Sequence, residues 1–324
     1  MSDGRVAAAR RFSASEAAFA GFRLLAREPV AGLAWAGVML AFGLVLGGLM
    51  VLAVGPAMTE IMTAGPKTDP AAQLSLLGRV APIYALVLPL SLLLYAVFYA
   101  AVNRAVLRPG ERGLAYLRLG ADELRQVGVL FLYGVVLFAI YIVVAVVMAV
   151  LLVVLGVAAS AAGQTPGGAF GPAVLIGLLI GFGFMAVVLF VAVRLSLCTS
   201  LTFDKGEVDL FGSWRMTRRR FWPLFGAFFL AWLVCVVLWA IVAVLFGAVA
   251  VGAGGLGAAT LMFQPHMDSL QAYFSPLQVA WIVLSAGMGA VFLTVLIGVS
   301  ADAYRQLRDL EQPEAAPARP ATGF

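Results

Sequence analysis

The side chains whose type and spacing offer the most chemistry fall between positions 210 and 222. There Leu210, Phe211 and Trp214 interleave with Arg215, Arg218, Arg219 and Arg220, and Trp222 closes the run. On a helix Arg215 and Arg219 are four apart and Arg218 lies three beyond Arg215, so these three share a face, while Arg220 is turned about 100° from its neighbour. Cations among indole rings suit the holding of anionic groups at a membrane surface, with the rings fixing depth. The expected form is a short amphipathic helix over 208–220, its apolar side chains among acyl chains and its arginines among phosphates. Trp214, Arg215, Arg218, Arg219, Arg220 and Trp222 are therefore the candidate anionic-lipid contacts. The plainer function of such a loop is a topology signal.

Elsewhere the chemistry thins out. His266 is the only histidine, and Cys198 and Cys235 have no Cys-x-x-Cys partner, so neither a zinc site nor a histidine-dependent triad assembles from the usual spacings. Gly252, Gly254 and Gly257 match the spacing of a dinucleotide fingerprint, but they follow an apolar helix where that fingerprint needs a strand. They read as an exit from that helix. No catalytic, metal-binding or cofactor-binding residue is assigned, and the expectation is a protein that is not an enzyme and carries no cofactor.

The elements that position the arginine run are set by composition. Of 324 residues, 63% are hydrophobic and 11% charged, against about a quarter charged in soluble proteins, and the apolar residues lie in long runs that only lipid solvates. The formal charge of +5 is no sign of nucleic acid, because the basic residues sit at the ends of those runs and not along one polar face. Six uncharged runs reach the roughly 20 residues that cross a bilayer: 31–54, 80–102, 127–158, 172–193, 223–252 and 279–300. The third and fifth are expected to tilt or project, and Pro82 and Pro89 to bend the second. None contains Asp, Glu, Lys, Arg or His, so the intramembrane ionisable group that a proton-coupled transporter uses is missing.

Nineteen of the lysines and arginines fall in 1–29, 103–126, 194–222 and 301–324, and only Lys67 and Arg79 in the other loops. This asymmetry assigns both termini and the second and fourth loops to the cytoplasm. The organisation is an amphipathic cytoplasmic segment at 1–29, a six-helix transmembrane domain at 30–300 and a cytoplasmic tail at 301–324 whose proline-rich end is disordered. In the first segment Ser13 and Glu16 form a capping box, and Phe19, Phe22 and Leu25 recur at helical spacing, as in a helix lying on the inner surface. Ala101, Val102 and Arg104 end one run as Ala192, Val193 and Arg194 end another, a weak parallel internal repeat. Gly43 with Gly47, and Gly177 with Gly181, have the spacing of closely packed helices.

Ser213, Trp214, Arg215, Met216 and Thr217, ending in Phe221 and Trp222 at the mouth of a long helix, carry a resemblance. The run resembles the signature loop of bacterial multi-pass membrane proteins similar to the membrane domain of glycerophosphoryl diester phosphodiesterases. The resemblance implies an inner-membrane location and no activity, and this chain lacks a proline near Thr199 to Phe203 that the group carries. The expected fold is all-α, a polytopic six-helix bundle with interfacial amphipathic helices. The expected function is a non-catalytic bundle that interacts with membrane lipids, anionic ones included, or with protein partners at its cytoplasmic loops. The alternative is a transporter or channel built from the two repeats.

Overall fold

A computed structural model describes residues 12–64, 70–161, 170–260 and 269–311. His266, Lys67, Arg5, Arg10, Arg11 and the proline-rich tail lie outside them. Every long element is helical: α1 (Ala14–Ala18), α2 (Ala20–Arg27), α3 (Pro29–Ala64), α4 (Pro70–Leu107), α5 (Ala121–Ala161), α6 (Phe170–Leu195), α7 (Cys198–Lys205), α8 (Leu210–Thr217), α9 (Phe221–Thr260), α10 (Leu270–Tyr273) and α11 (Pro276–Glu311). Six of them, α3, α4, α5, α6, α9 and α11, are long and apolar enough to cross a membrane, which makes the chain an all-α polytopic bundle. The 36 residues of α3 span about 54 Å at 1.5 Å each, well beyond a hydrocarbon core of about 30 Å. The expected loops at 55–79 and 253–278 are accordingly shorter, because the helices run on past the point where hydropathy falls. α9 does break where glycines were read as its exit, Gly254 leaving helical geometry and Gly255 taking φ 73°. α4 continues as one helix through Pro82 and Pro89.

α4 and α11 lie innermost, with a third of their most apolar stretch buried, whereas the corresponding stretch of α5 has none. Packing is concentrated at the end of the bundle that carries α1, α2, α7 and α8, here called the basic end. There Leu197, Leu201, Leu224, Val295, Val299 and Leu307 form one core and Trp35, Phe98, Ala101, Val102 and Ile297 another. Gly177 and Gly181, read as packing positions, face open space, and so does Gly43; of these glycines only Gly47 meets a neighbour, the ring of Tyr273.

The N-terminal segment is helical and capped as its sequence indicates, with the Glu16 N–H donating to Ser13 Oγ at 3.3 Å. One face of it packs against the bundle. Ala17, Ala18, Ala20, Gly21 and Leu24 are buried, α1 packs against α9 and α11, and α2 packs against α11. Small residues make this possible: Gly21 sits so close to the Val295 and Gly298 backbones that no Cβ fits between them. Gln306 holds the entrance, accepting from the Ser13 N–H at 2.9 Å. Between α2 and α3 the backbone leaves helical geometry at Glu28, the residue that Pro29 bars from it.

Candidate functional site

The site is built around a break between α6 and α7. α6 ends at Leu195, and α7 turns back into the protein so that Cys198 to Phe203 are all buried. Ending a helix frees carbonyls that need donors. The Arg194 carbonyl receives Ser213 Oγ at 2.8 Å and Thr217 Oγ1 at 3.1 Å, two hydroxyls four apart on one face of α8, while Ser213 Oγ accepts from the Leu197 N–H at 3.1 Å. Ser213 and Thr217 of the signature-like run thus clamp the break. α7 stops at Gly206, whose φ of 71° suits glycine, and α8 starts at Asp209, whose Oδ1 accepts from the Gly212 N–H at 2.7 Å.

Beside the break a polar chain crosses three helices. Ser200 Oγ lies 2.8 Å from Asn103 Oδ1 and 3.1 Å from Ser300 Oγ, and Ser300 Oγ donates to the Ser196 carbonyl at 2.6 Å. Two hydroxyl protons cannot serve three contacts, and in this orientation Asn103 Nδ2 is buried without a partner. Turning the Asn103 amide resolves the proton count: Nδ2 then donates to Ser200, Ser200 to Ser300 and Ser300 to Ser196, a one-way run of protons that leaves Oδ1 as the unpaired atom.

Charged residues just past the apolar runs are also drawn inside. Arg104 is buried near the end of α4, donating to Glu123 Oε1 at 2.7 Å and to the Tyr116 carbonyl at 2.6 Å, with Asp122 and Glu111 carboxylates at 3.6 Å. The Tyr116 carbonyl is delivered by a left-handed turn in which Leu114, Ala115 and Tyr116 have φ of 46°, 55° and 64°. Such geometry costs a non-glycine residue about 1–2 kcal/mol, and Trp35 helps to hold it by donating Nε1 to the Ala115 carbonyl at 3.0 Å. Asp204 accepts from Tyr304 at 2.8 Å and pairs with Arg308 at 3.1 Å, tying α7 to α11. No sequence period marks these pairings; the only sign is that Arg104 lies within a turn of a run's end. These pairings tie the helices together at this end of the bundle.

Above the polar chain lies a cavity of about 560 Å³, the size range of small-molecule sites. Ser196, Cys198, Thr199 and Ser300 line its basic end, and Leu189, Met185, Phe228 and Trp232 are among the residues lining the rest. Met185, Leu189, Phe229 and Trp232 are also exposed on the bundle surface, so the cavity opens sideways between α6 and α9. Thr199 is almost wholly buried, and its hydroxyl has no hydrogen-bond partner. Tyr99 and Tyr133 line the cavity too.

The residues expected to meet lipid head groups lie at this end with unequal exposure. α8 ends at Thr217, two residues short of Arg219, because i to i+3 bonds from Arg218 to Arg215 and from Arg220 to Thr217 tighten the chain into α9. Arg218 and Arg219 therefore project from a turn, exposed like Arg215, and the expected helix over 208–220 covers only Leu210–Thr217. Leu210 is buried and Phe211 exposed. Trp222 is 75% exposed, and Trp214 is half-buried, edge-on to Phe190 with centroids 5.7 Å apart. Arg220 is half-buried with Nη1 lacking a partner. The residue that the sequence reading missed is Arg194, counted there only as a topology charge. Its guanidinium lies 5.2 Å from the Phe190 ring and 5.5 Å from Trp214.

Among the described residues no group of three histidine, cysteine or acidic side chains is placed to hold a metal ion. Comparison with known protein families, with curated proteins and with solved structures gives no match. The resemblance carried by Ser213 to Trp222 rests on those residues alone.

Proposed function

We infer that the chain is a non-catalytic bundle of the bacterial inner membrane, with both ends in the cytoplasm, that binds a lipid in the cavity between α6 and α9. The observation that carries this reading is the gradient along the cavity wall: hydroxyls and a thiol toward the basic end, with Tyr99 and Tyr133 adding two phenols, then aliphatic and aromatic side chains such as Met185, Leu189, Phe228 and Trp232, with a rim open at the bundle surface. Water in the apolar part would find too few polar partners, while an acyl chain entering sideways exchanges one apolar surface for another and leaves its polar end beside Ser196, Thr199 and Ser300. The exposed arginines of the turn at 218–219 then act at longer range, favouring anionic lipid near the mouth by about 1 kcal/mol each.

The test is a filled cavity. Ala192→Phe places a ring in the space, and Leu179→Phe makes a similar change on the exposed face of the same helix. Native mass spectrometry after gentle extraction should show a lipid retained by the parent and by Leu179→Phe and lost from Ala192→Phe. Equal retention in all three, or none in the parent, would end the proposal.

A further inference from the structure

Arg194 is a cation without an anion. None of its side-chain nitrogens makes a hydrogen bond or ion pair with a described residue; Nε and Nη1 are buried beneath aromatic neighbours, and Nη2 remains open. A guanidinium carries five donors, and burying those on Nε and Nη1 unmet is unusual. Its counterpart in the weak repeat makes the contrast sharp. Arg104 ends α4 as Arg194 ends α6, and it has Glu123, Asp122 and Glu111 around it. The carboxylates that could do the same for Arg194 are committed elsewhere: Asp204 to Arg308 and Tyr304, Asp209 to Lys205 and the start of α8. Glu207 is exposed and pairs with no described cation.

The unpaired cation is joined to the cavity by packed rings. Phe225, which lines the cavity, stacks on Phe221 at 6.0 Å; Phe221 meets Phe190 at 5.3 Å; and Phe190 lies beneath Arg194. Val193 and Leu195, on either side of Arg194 in the chain, line the cavity themselves. We propose that Arg194 is the head-group anchor of the cavity, binding the phosphate of a monoanionic phospholipid whose acyl chain lies between α6 and α9. Nη2 meets a phosphate oxygen, Trp214 covers the guanidinium, and the Thr199 hydroxyl has the ester region within the same basic end of the cavity as its acceptor. Arg220, whose Nη1 is likewise buried without a partner, stands as the second cation at the mouth of α9. Arginine suits this position because its planar group can stack on rings and still donate in its own plane.

This inference rests on the cavity's being a lipid site, and the experiment separates the two. The purified full chain is titrated in detergent with phosphatidylglycerol, with diacylglycerol and with glycerol 3-phosphate, and bound ligand is read by native mass spectrometry. The parent should prefer phosphatidylglycerol over diacylglycerol by at least tenfold, which is about 1.4 kcal/mol. Glycerol 3-phosphate should bind far more weakly, lacking the chain. Arg194→Gln should bring the preference down to about unity while diacylglycerol still binds, which also reports that the variant is folded. Arg194→Lys should recover part of the preference, and Leu179→Phe, away from both the cavity and the arginines, should leave it unchanged. A preference untouched by Arg194→Gln overturns the anchor and leaves the lipid cavity standing. Tight binding of glycerol 3-phosphate that depends on Arg194, with neither lipid bound, overturns the lipid cavity and makes Arg194 a site for soluble phosphate esters. If Arg194→Gln loses diacylglycerol as well, Trp214→Leu decides: the proposal stands if that variant lowers the preference and falls if it does not.

Discussion

Adding one methyl group at Gly21 should prise the N-terminal segment from the bundle. A Cβ there would come within 2.7 Å of the Thr294 carbonyl oxygen and 2.9 Å of the Val295 nitrogen, and closer still to the Val295 Cα, against 3.4 Å or more in ordinary contact. The obstructing atoms are backbone in the middle of α11 and cannot rotate away, so α2 must retreat. Overpacking of this kind costs about 1–3 kcal/mol. Alanine's better helix propensity returns about 1 kcal/mol, which leaves a net loss of about 0–2 kcal/mol for Gly21→Ala and a deficit of about 1–3 kcal/mol against a Gly→Ala change in open space. Gly298→Ala meets the same contact from the other side, with Gly21 Cα at 2.7 Å, and one retreat relieves both. The double variant should therefore lose clearly less than the sum of the two. Gly37→Ala, with nothing within 4 Å, should be neutral or slightly stabilising. Thermal unfolding in mild detergent gives the free energies, and protease sensitivity near Arg23 and Arg27 reports whether the segment has lifted. Equal stability of Gly21→Ala and Gly37→Ala, or additive losses at Gly21 and Gly298, would refute the close approach.

Glu123→Ala should destabilise the bundle by about 3–5 kcal/mol, because it strips the nearest carboxylate from a buried Arg104; chemical denaturation measures it, and a loss below about 1 kcal/mol would contradict the pairing. Ser200→Ala should cost about 1–3 kcal/mol on the same denaturation measurement by leaving the Asn103 amide without its partner, and no loss would contradict the polar chain. Burial pushes the Asp209 carboxyl up, but the Lys205 hydrogen bond, the Gly212 N–H and the charges of Lys205 and Arg215 outweigh it and hold its pKa below the ordinary 3.8. A depressed folded-state pKa means stabilisation fully present above the unfolded value and lost as pH falls through the folded one. Asp209→Ala should thus lie about 1 kcal/mol below the parent at neutral pH, with the gap narrowing only as the medium becomes more acidic than ordinary carboxylates; melting curves at stepped pH check it.

The six spans were legible because each is a long uncharged run, and lipid leaves helices no other way to satisfy their backbones. Their ends were not, since Ala, Gly and Thr at 55–64 are too weakly apolar to announce that α3 continues to Ala64. The arginine run lies at the same end of the bundle as Arg194, with Trp214 beside that guanidinium. It could not single out Arg194, whose meaning comes from an absent carboxylate, and absence of a partner is a tertiary fact. Nor did a proline or glycine mark the break after Leu195; the hydroxyls that clamp it, Ser213 and Thr217, have helical spacing, but their acceptor lies 19 and 23 residues away. Gly113 was the single hint of the left-handed turn, and three non-glycine residues carry it.

Photocrosslinking tests the central claim most directly. A phospholipid with a diazirine near the end of one acyl chain is incorporated into nanodiscs with the full chain, irradiated, and the labelled residues are mapped by peptide mass spectrometry. Labelling concentrated on Met185, Leu189, Phe229 and Trp232, and displaced by Ala192→Phe, is the result that a lipid in the cavity between α6 and α9 requires. Labelling spread evenly over the exposed faces of α5 and α6, and unchanged by Ala192→Phe, would contradict it.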